Sequence, residues 1–191
     1  LDLAKKYDLK IIEDAAELIG QTYKDKPCGS FGDISTLSFY PNKHITTGEG
    51  GMVLTNDKEL AKKCRYLRNL CFGEGDNRFK HLHMGWNYRF TNLQAAIGLA
   101  QLEKLEKTVL KKRQIGKWYT NLLSNIDCLT LPLPKTDYAE NIYWMYGVVC
   151  NKKNINSNKI MKELANKGIG TRPFFYPMHL QPVFIKNKLF V

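Results

Sequence analysis

A chain of 191 residues with 43% hydrophobic content is long enough for one domain of ordinary size, or one and a half, with a real buried core. No run approaches the ~18 apolar residues of a membrane span, and the opening "LDLAKKYDLK" has neither an apolar signal core nor an initiator methionine, so the expectation is a globular, cytosolic, truncated chain. The net charge of +11, from 29 basic and 18 acidic residues, leaves a phosphate-bearing or nucleic-acid partner open.

In chain order, "LDLAKKYD" reads as a helix already under way. "LKIIED", residues 9–14, is a near-continuous apolar run ending in two carboxylates, the pattern of a buried parallel strand whose polar end opens into a crevice. "ISTLSFY", residues 34–40, predicts a second strand after a turn at Gly29, Gly32 and Asp33, and "GMVLTN", residues 51–56, a third. The "TND" terminus caps a helix over "DKELAKKCRYLRNL". From Thr91 or Asn92 as N-cap, "NLQAAIGLAQLEKLEK" repeats apolar residues at three- and four-residue steps, and a further helix runs through "VLKKRQIGKWYTNLL".

"LPLPK", residues 131–135, breaks the pattern and marks the best boundary, dividing the chain into 1–130 and a smaller α+β domain over 131–191. There "IYWMYGVVC" predicts a strand, "SNKIMKELANKG" a helix stopped by Gly168, and "IGTRPFFYPMHLQP" an irregular segment. The last 41 residues hold Lys152, Lys153, Lys159, Lys162, Lys167, Arg172, Lys186 and Lys188 against Glu163 alone. Either a polyanion-binding surface or solvated helix faces would account for them; no aromatic stacking residues are interleaved from Lys152 to Lys167. Cys28, Cys64, Cys71, Cys128 and Cys150 are odd in number and scattered, without a CxxC pair, and read as reduced thiols.

Asp14 ends its strand where open α/β sheets receive ligands, so it faces a ligand or caps the following "AAEL" turn. Glu13 alternates to the other side and reads as structural. Lys43 sits in "SFYPNKHITTGEGG". A phosphate-clamping lysine would follow a GxxxxG run and precede Ser or Thr, whereas here the glycines come after it and His44 follows directly. Two readings remain: an exposed turn lysine, or a Schiff-base lysine on a short leash with small neighbours that admit a planar cofactor. His81 and His83 have an HxH spacing, but no acid or cysteine close by in sequence completes a metal set.

"IIEDAAE", "CGSFGDISTLSFYPNKHITTGEGGMVLTND" and "GWNYRFTNLQAAIGLAQLEKL" resemble, in order and spacing, the DegT/DnrJ/EryC1/StrS family of nucleotide-sugar aminotransferases, through essentially the whole chain. The resemblance implies an α/β, aspartate-aminotransferase-like (fold type I) architecture: part of a large domain with a parallel-rich sheet, then the start of the small domain. It implies pyridoxal 5′-phosphate as cofactor, glutamate and a nucleotide-linked keto sugar as substrates, a homodimer with a shared active site, and a role in surface-polysaccharide (O-antigen) biosynthesis. With "EDAAE" and the lysine turn, the tail "GIGTRPFFYPMHLQP" resembles the branch that aminates C4 of GDP-4-keto-6-deoxymannose; a UDP- or dTDP-linked sugar is the alternative.

By similarity Lys43 is the cofactor-bearing lysine and the proton shuttle, and Asp14 the partner of the pyridine nitrogen, a role that calls for a buried carboxylate. Ser38 is implied to contact the cofactor phosphate, and Asn87, positioned by Tyr88 and Arg89, the phosphate of the neighbouring subunit. Glu17 stands where many members have Gln, near the ring hydroxyl. Arg172 and His179 are candidates for the substrate side, and His44 for a turn residue. Dehydratases on this scaffold carry histidine in place of the lysine, so Lys43 argues against that activity. The family's Gly-Thr phosphate-binding helix terminus and stacking aromatic are expected before Leu1, which makes the chain a fragment. A non-catalytic nucleic-acid module, supported by charge alone, leaves Asp14, Ser38 and Lys43 unexplained.

Overall fold

The computed structural model describes residues 1–152 and 156–187; Lys153 and Lys188 of the basic section lie outside the described residues. Two compact units are present. The first joins Leu1–Leu122 to Leu133–Tyr146, and the second joins Leu123–Pro132 to the described chain from Gly147 onward. Residues 133–146, past the sequence boundary at 130/131, therefore pack within the first unit.

The first unit is built on a three-stranded sheet of order β1-β4-β5. Its strands are β1 (Ile12–Asp14), β4 (Ile34–Ser38) and β5 (Gly51–Leu54); a separate small hairpin holds β2 (Thr22–Tyr23) and β3 (Lys26–Pro27). β1 and β4 are parallel with Asp14 opposite Thr36, so both strands present their carboxyl ends, and with them Asp14 and Ser38, on the same side. β4 and β5 pair antiparallel with Ser38 opposite Gly51. The parallel character expected for the sheet thus holds for one of its two pairings.

The burial expected for β1 does not hold: Ile12 is 75% exposed and Leu9 58%. β1 is an edge strand, and among the described residues no layer covers Ile12; alternation in sequence marks a face but not what lies on it.

Helix α1 (Asp2–Lys6) precedes the sheet, and α2 (Lys58–Arg68), α3 (Asn92–Leu102) and α4 (Leu105–Leu123) follow it. Asp57 caps α2 by accepting from Glu59 N and Leu60 N at 2.8 and 3.0 Å. Thr91, not Asn92, caps α3, in a reciprocal capping box with Gln94. The core lies beneath the lysine turn, where Ile19, Phe39 and Ile45 are buried against Leu37, Phe90 and Leu105.

In the second unit β6 (Leu129–Thr130) pairs antiparallel with β7 (Val149–Cys150), and α5 (Ser157–Asn166) and α6 (Pro182–Lys186) follow. α5 ends at Gly168, φ +76°, where Ile169 N and Gly168 N bond back to Leu164 O and Ala165 O at 2.9 Å each, the Schellman closure that glycine favours.

The strand expected over "IYWMYGVVC" is present only at Val149–Cys150. Residues 142–146 stay irregular for two reasons. Tyr143 takes φ +48°, and the carbonyls of Ile142 and Trp144 accept from the side chains of His44 and Lys112 instead of a neighbouring strand.

Candidate active site

Glu13 and Asp14 leave β1 on opposite sides. The Glu13 carboxylate turns into the 29–32 loop and accepts from Gly29 N (2.6 Å), Phe31 N (2.8 Å), Gly32 N (3.2 Å) and Ser35 Oγ (3.1 Å). Burial pushes its pKa up, but these hydrogen bonds outweigh that effect and hold it below the ordinary carboxylate value. The structural reading of Glu13 follows from this geometry. Asp14 is exposed and accepts from Ala16 N at 3.0 Å through Oδ1. It caps its own turn and presents a solvent-facing carboxylate at the carboxyl end of the sheet, which differs from the buried group anticipated; the layer that would cover it is also missing over Ile12.

Lys43 stands on a turn fastened at many points. Lys43 N donates to Tyr40 O at 3.0 Å, Thr47 N and Thr46 Oγ1 both donate to Phe39 O at 3.0 and 2.8 Å, and Phe39 N donates to Gly50 O at 2.9 Å. From α3, Gln101 clamps Thr46 by donating Nε2 to its carbonyl at 2.7 Å and accepting its N–H at 3.2 Å. Gln94 Nε2 donates to Glu49 O at 3.2 Å. Gly50 has φ +143°, and a Cβ there would run into Phe90 Cε1 and Thr47 Oγ1, so this closing position admits only glycine without strain.

The lysine is not an exposed loop tip: its side chain is 10% exposed, with Nζ 3.6 Å from Glu17 Oε1 and 4.0 Å from the centroid of the Trp144 ring. Glu17, itself half exposed, therefore pairs with the ammonium. Ser38 Oγ, at the carboxyl end of β4, accepts from Tyr40 N at 3.3 Å. His44 points the other way into the core, where Nε2–H donates to Ile142 O at 3.0 Å; burial, together with the nearby Lys112 cation, holds its pKa below the ordinary imidazole value despite that bond. Burial likewise lowers the Lys112 pKa.

Asn87 is exposed; its backbone bridges Asn69, and its Oδ1 accepts from Arg89 Nε at 3.3 Å, so Arg89 orients it as expected. Tyr88 stacks on Trp86. His81 and His83 direct Nδ1 to Leu70 O and Tyr66 OH at 2.7 and 3.3 Å. Arg172 and His179 belong to the second unit and are exposed, His179 within a single 3-10 turn, Met178–Leu180.

The geometry thus links Lys43 with Glu17 directly and places Asp14 and Ser38 at the same end of the sheet. Trp144, Gln101 and Lys112 were absent from the sequence reading. Each acts on residues far away in the chain, Trp144 on a carbonyl 102 residues distant, and no local pattern marks them. As a donor set, an amine with little exposure, an exposed carboxylate and a hydroxyl at a strand end match an aldehyde, a ring nitrogen and a phosphate, the three functions of pyridoxal phosphate.

Comparison with known proteins agrees with this arrangement. The sequence profile of the DegT/DnrJ/EryC1/StrS aminotransferase family matches residues 1–189. GDP-perosamine synthase of Caulobacter vibrioides is 40% identical over 96% of this chain and 50% of its own length. The Escherichia coli O157:H7 GDP-perosamine synthase is 42% identical over 96% and 49%. The structure of Helicobacter pylori PseC, an aminotransferase involved in pseudoaminic acid biosynthesis, superposes with a TM-score of 0.90 at 27% identity over 100% of this chain and 52% of that one. The chain spans about half the length of the relatives it matches, and its fold is that of the fold type I aminotransferases, whose cofactor in this family is pyridoxal 5′-phosphate. With the profile running through residues 1–189, nearly the whole chain, this chain belongs to the DegT/DnrJ/EryC1/StrS aminotransferase family.

Proposed function

We propose that the protein carrying this chain transfers an amino group from L-glutamate to C4 of a nucleotide-linked 4-keto-6-deoxy sugar, with GDP-4-keto-6-deoxymannose as acceptor and GDP-perosamine as product. The observation that carries the reading is Lys43: an amine with little exposure, on a turn clamped by α3, at the carboxyl end of the sheet. The GDP-linked substrate is supported by the 40% and 42% identity to GDP-perosamine synthases.

When bound, pyridoxal phosphate supplies an aldehyde for the incoming amine and a ring that accepts the electron pair left when a proton leaves the substrate carbon. In this reading Lys43 Nζ holds the cofactor at rest. With the cofactor bound, the same nitrogen would serve as base and then acid for the proton of the donor carbon. Asp14 supplies the negative charge for the ring nitrogen, Ser38 Oγ a hydrogen bond for the phosphate, and Glu17 an acceptor that holds Nζ while the lysine is free. Asn87 acts on the phosphate of a second subunit, and Arg172 and His179 act on the sugar or the donor carboxylate. Glutamate, released as 2-oxoglutarate, would give its amino group by way of the cofactor to the keto sugar that enters afterwards, a ping-pong order.

The test is steady-state kinetics with glutamate and matched GDP-, UDP- and dTDP-linked 4-keto-6-deoxy sugars. Turnover of the GDP sugar with kcat/KM about tenfold or more above the others is expected. Lys43→Ala should lower kcat on the order of 10³-fold. Undiminished transamination in that variant would end the proposal, and a preference for the UDP or dTDP sugar would move the substrate assignment.

A further inference from the structure

The irregular segment 142–146 is tied to the lysine turn at two points and to α4 at a third. His44 Nε2–H donates to Ile142 O at 3.0 Å, Lys112 Nζ to Trp144 O at 3.1 Å, and Trp144 Nε1–H to Asn42 O at 3.1 Å. Between these anchors Tyr143 is 6% exposed and lies on α4 over Gly116, where a Cβ would come within 2.6 Å of three ring atoms. That notch seats Tyr143 on the helix. The next residue, Trp144, sets its ring face 4.0 Å from Lys43 Nζ and its N–H on the residue before the lysine.

A lysine side chain loses rotamer freedom when it is held in one place, and some contact must offset that loss. Among the described residues, Glu17 and Trp144 lie against Nζ. Glu17 is 47% exposed at its side chain, and an ion pair so open to water contributes little. The Trp144 ring meets a cation on a side chain only 10% exposed, where attraction to an aromatic face is stronger because less water competes. The ring is therefore the dominant restraint on Nζ.

We infer that Trp144 is the positioning residue of Lys43: its indole face holds Nζ at the carboxyl end of the sheet, and its N–H locks that face to the lysine turn. The inference rests on the reading of Lys43 as the cofactor-bearing lysine. Packing and positioning are separable here, because Tyr143 fills the notch on α4 while the Trp144 ring contacts Nζ and the Asn42 carbonyl.

Competitive labelling of the amines with a trace acylating reagent, read by mass spectrometry without cofactor, tests it on wild type, Trp144→Leu and Trp144→Phe. Lys10, with an 82% exposed side chain, is the internal standard. Labelling of Lys43 relative to Lys10 should rise about three- to tenfold in Trp144→Leu. A smaller rise is expected in Trp144→Phe, which keeps an aromatic face and loses the N–H. Lys112 binds the backbone of Trp144 and not its ring, so its labelling should stay at the wild-type level. Unchanged Lys43 labelling, or Lys43 and Lys112 rising together as in general loosening, overturns the inference; should Trp144→Leu not fold, the same two outcomes are read from Trp144→Phe. A parallel arm reduces bound pyridoxal phosphate with borohydride and maps the modified peptide in wild type. Absence of the adduct on Lys43 there overturns the reading of the lysine, and with it the role of Trp144. An adduct on Lys43 with unchanged labelling removes Trp144 alone.

Discussion

Glu13 and His44 are two residues whose protonation is bound up with the fold. Glu13 has its pKa lowered in the folded chain from an ordinary 4.5, so its contribution is complete above that value and is lost as pH falls through the folded pKa. Glu13→Gln should lower stability at pH 7 by about 2 kcal/mol, because an uncharged amide must replace a carboxylate that four donors converge on. It should also flatten the decline below pH 4.5; urea unfolding across pH measures both. His44 also has a lowered folded pKa, from 6.5. The unfolded chain therefore binds the proton first, and stability falls as pH drops below 6.5. His44→Ala strands the Ile142 carbonyl and opens a small cavity, at a cost of about 2 kcal/mol at pH 8, and should remove that part of the pH dependence. Alternation along the strand separates Glu13 from the adjacent Asp14, but the donors that lower its pKa come from the 29–32 turn and Ser35, and the partner of His44 comes from residue 142.

At the scale of elements, the turn between β4 and β5 holds the lysine through backbone closure and side chains of α3. Its two left-handed glycines differ in their surroundings. Gly48, φ +79°, has nothing within 4 Å of an added Cβ, whereas Gly50 faces Phe90 and Thr47. Gly48→Ala should therefore cost only the backbone strain, about 1–2 kcal/mol, and Gly50→Ala clearly more, with thermal melts giving the order. Gln101→Leu removes both bonds to Thr46 and should cost about 1–3 kcal/mol, with faster amide exchange over residues 44–50 than over α2. The caps at Asp57 and Thr91 and the stop at Gly168 were legible because their partners lie within five residues. The strand expected at 142–148 was not, because its apolar pattern suits a strand equally well and the side chains that claim its carbonyls come from other parts of the chain.

For the whole molecule, the outstanding feature is apolar surface. Leu82, Met84 and Leu93 are 79–85% exposed, and Ile12 is 75% exposed, well beyond the scattered single residues ordinary on a monomer. The chain spans about half the length of its relatives, and among the described residues nothing covers these side chains. The 191-residue chain should therefore bind an apolar dye such as ANS at neutral pH while keeping its far-UV circular dichroism. Absence of dye binding would mean that these faces are covered, by self-association or by rearrangement, and sedimentation distinguishes the two.

The sequence by itself determined the family, the helices with their caps, and where the residues proposed to carry chemistry stand, because each is written in local spacing: Asp14 and Ser38 at strand ends, Lys43 between proline and glycines. Only the tertiary structure decided that Asp14 is exposed, that Glu17 pairs with Lys43, and that Trp144 lies against its ammonium. Those outcomes depend on distance and burial between segments as much as 102 residues apart, where neither periodicity nor propensity carries information.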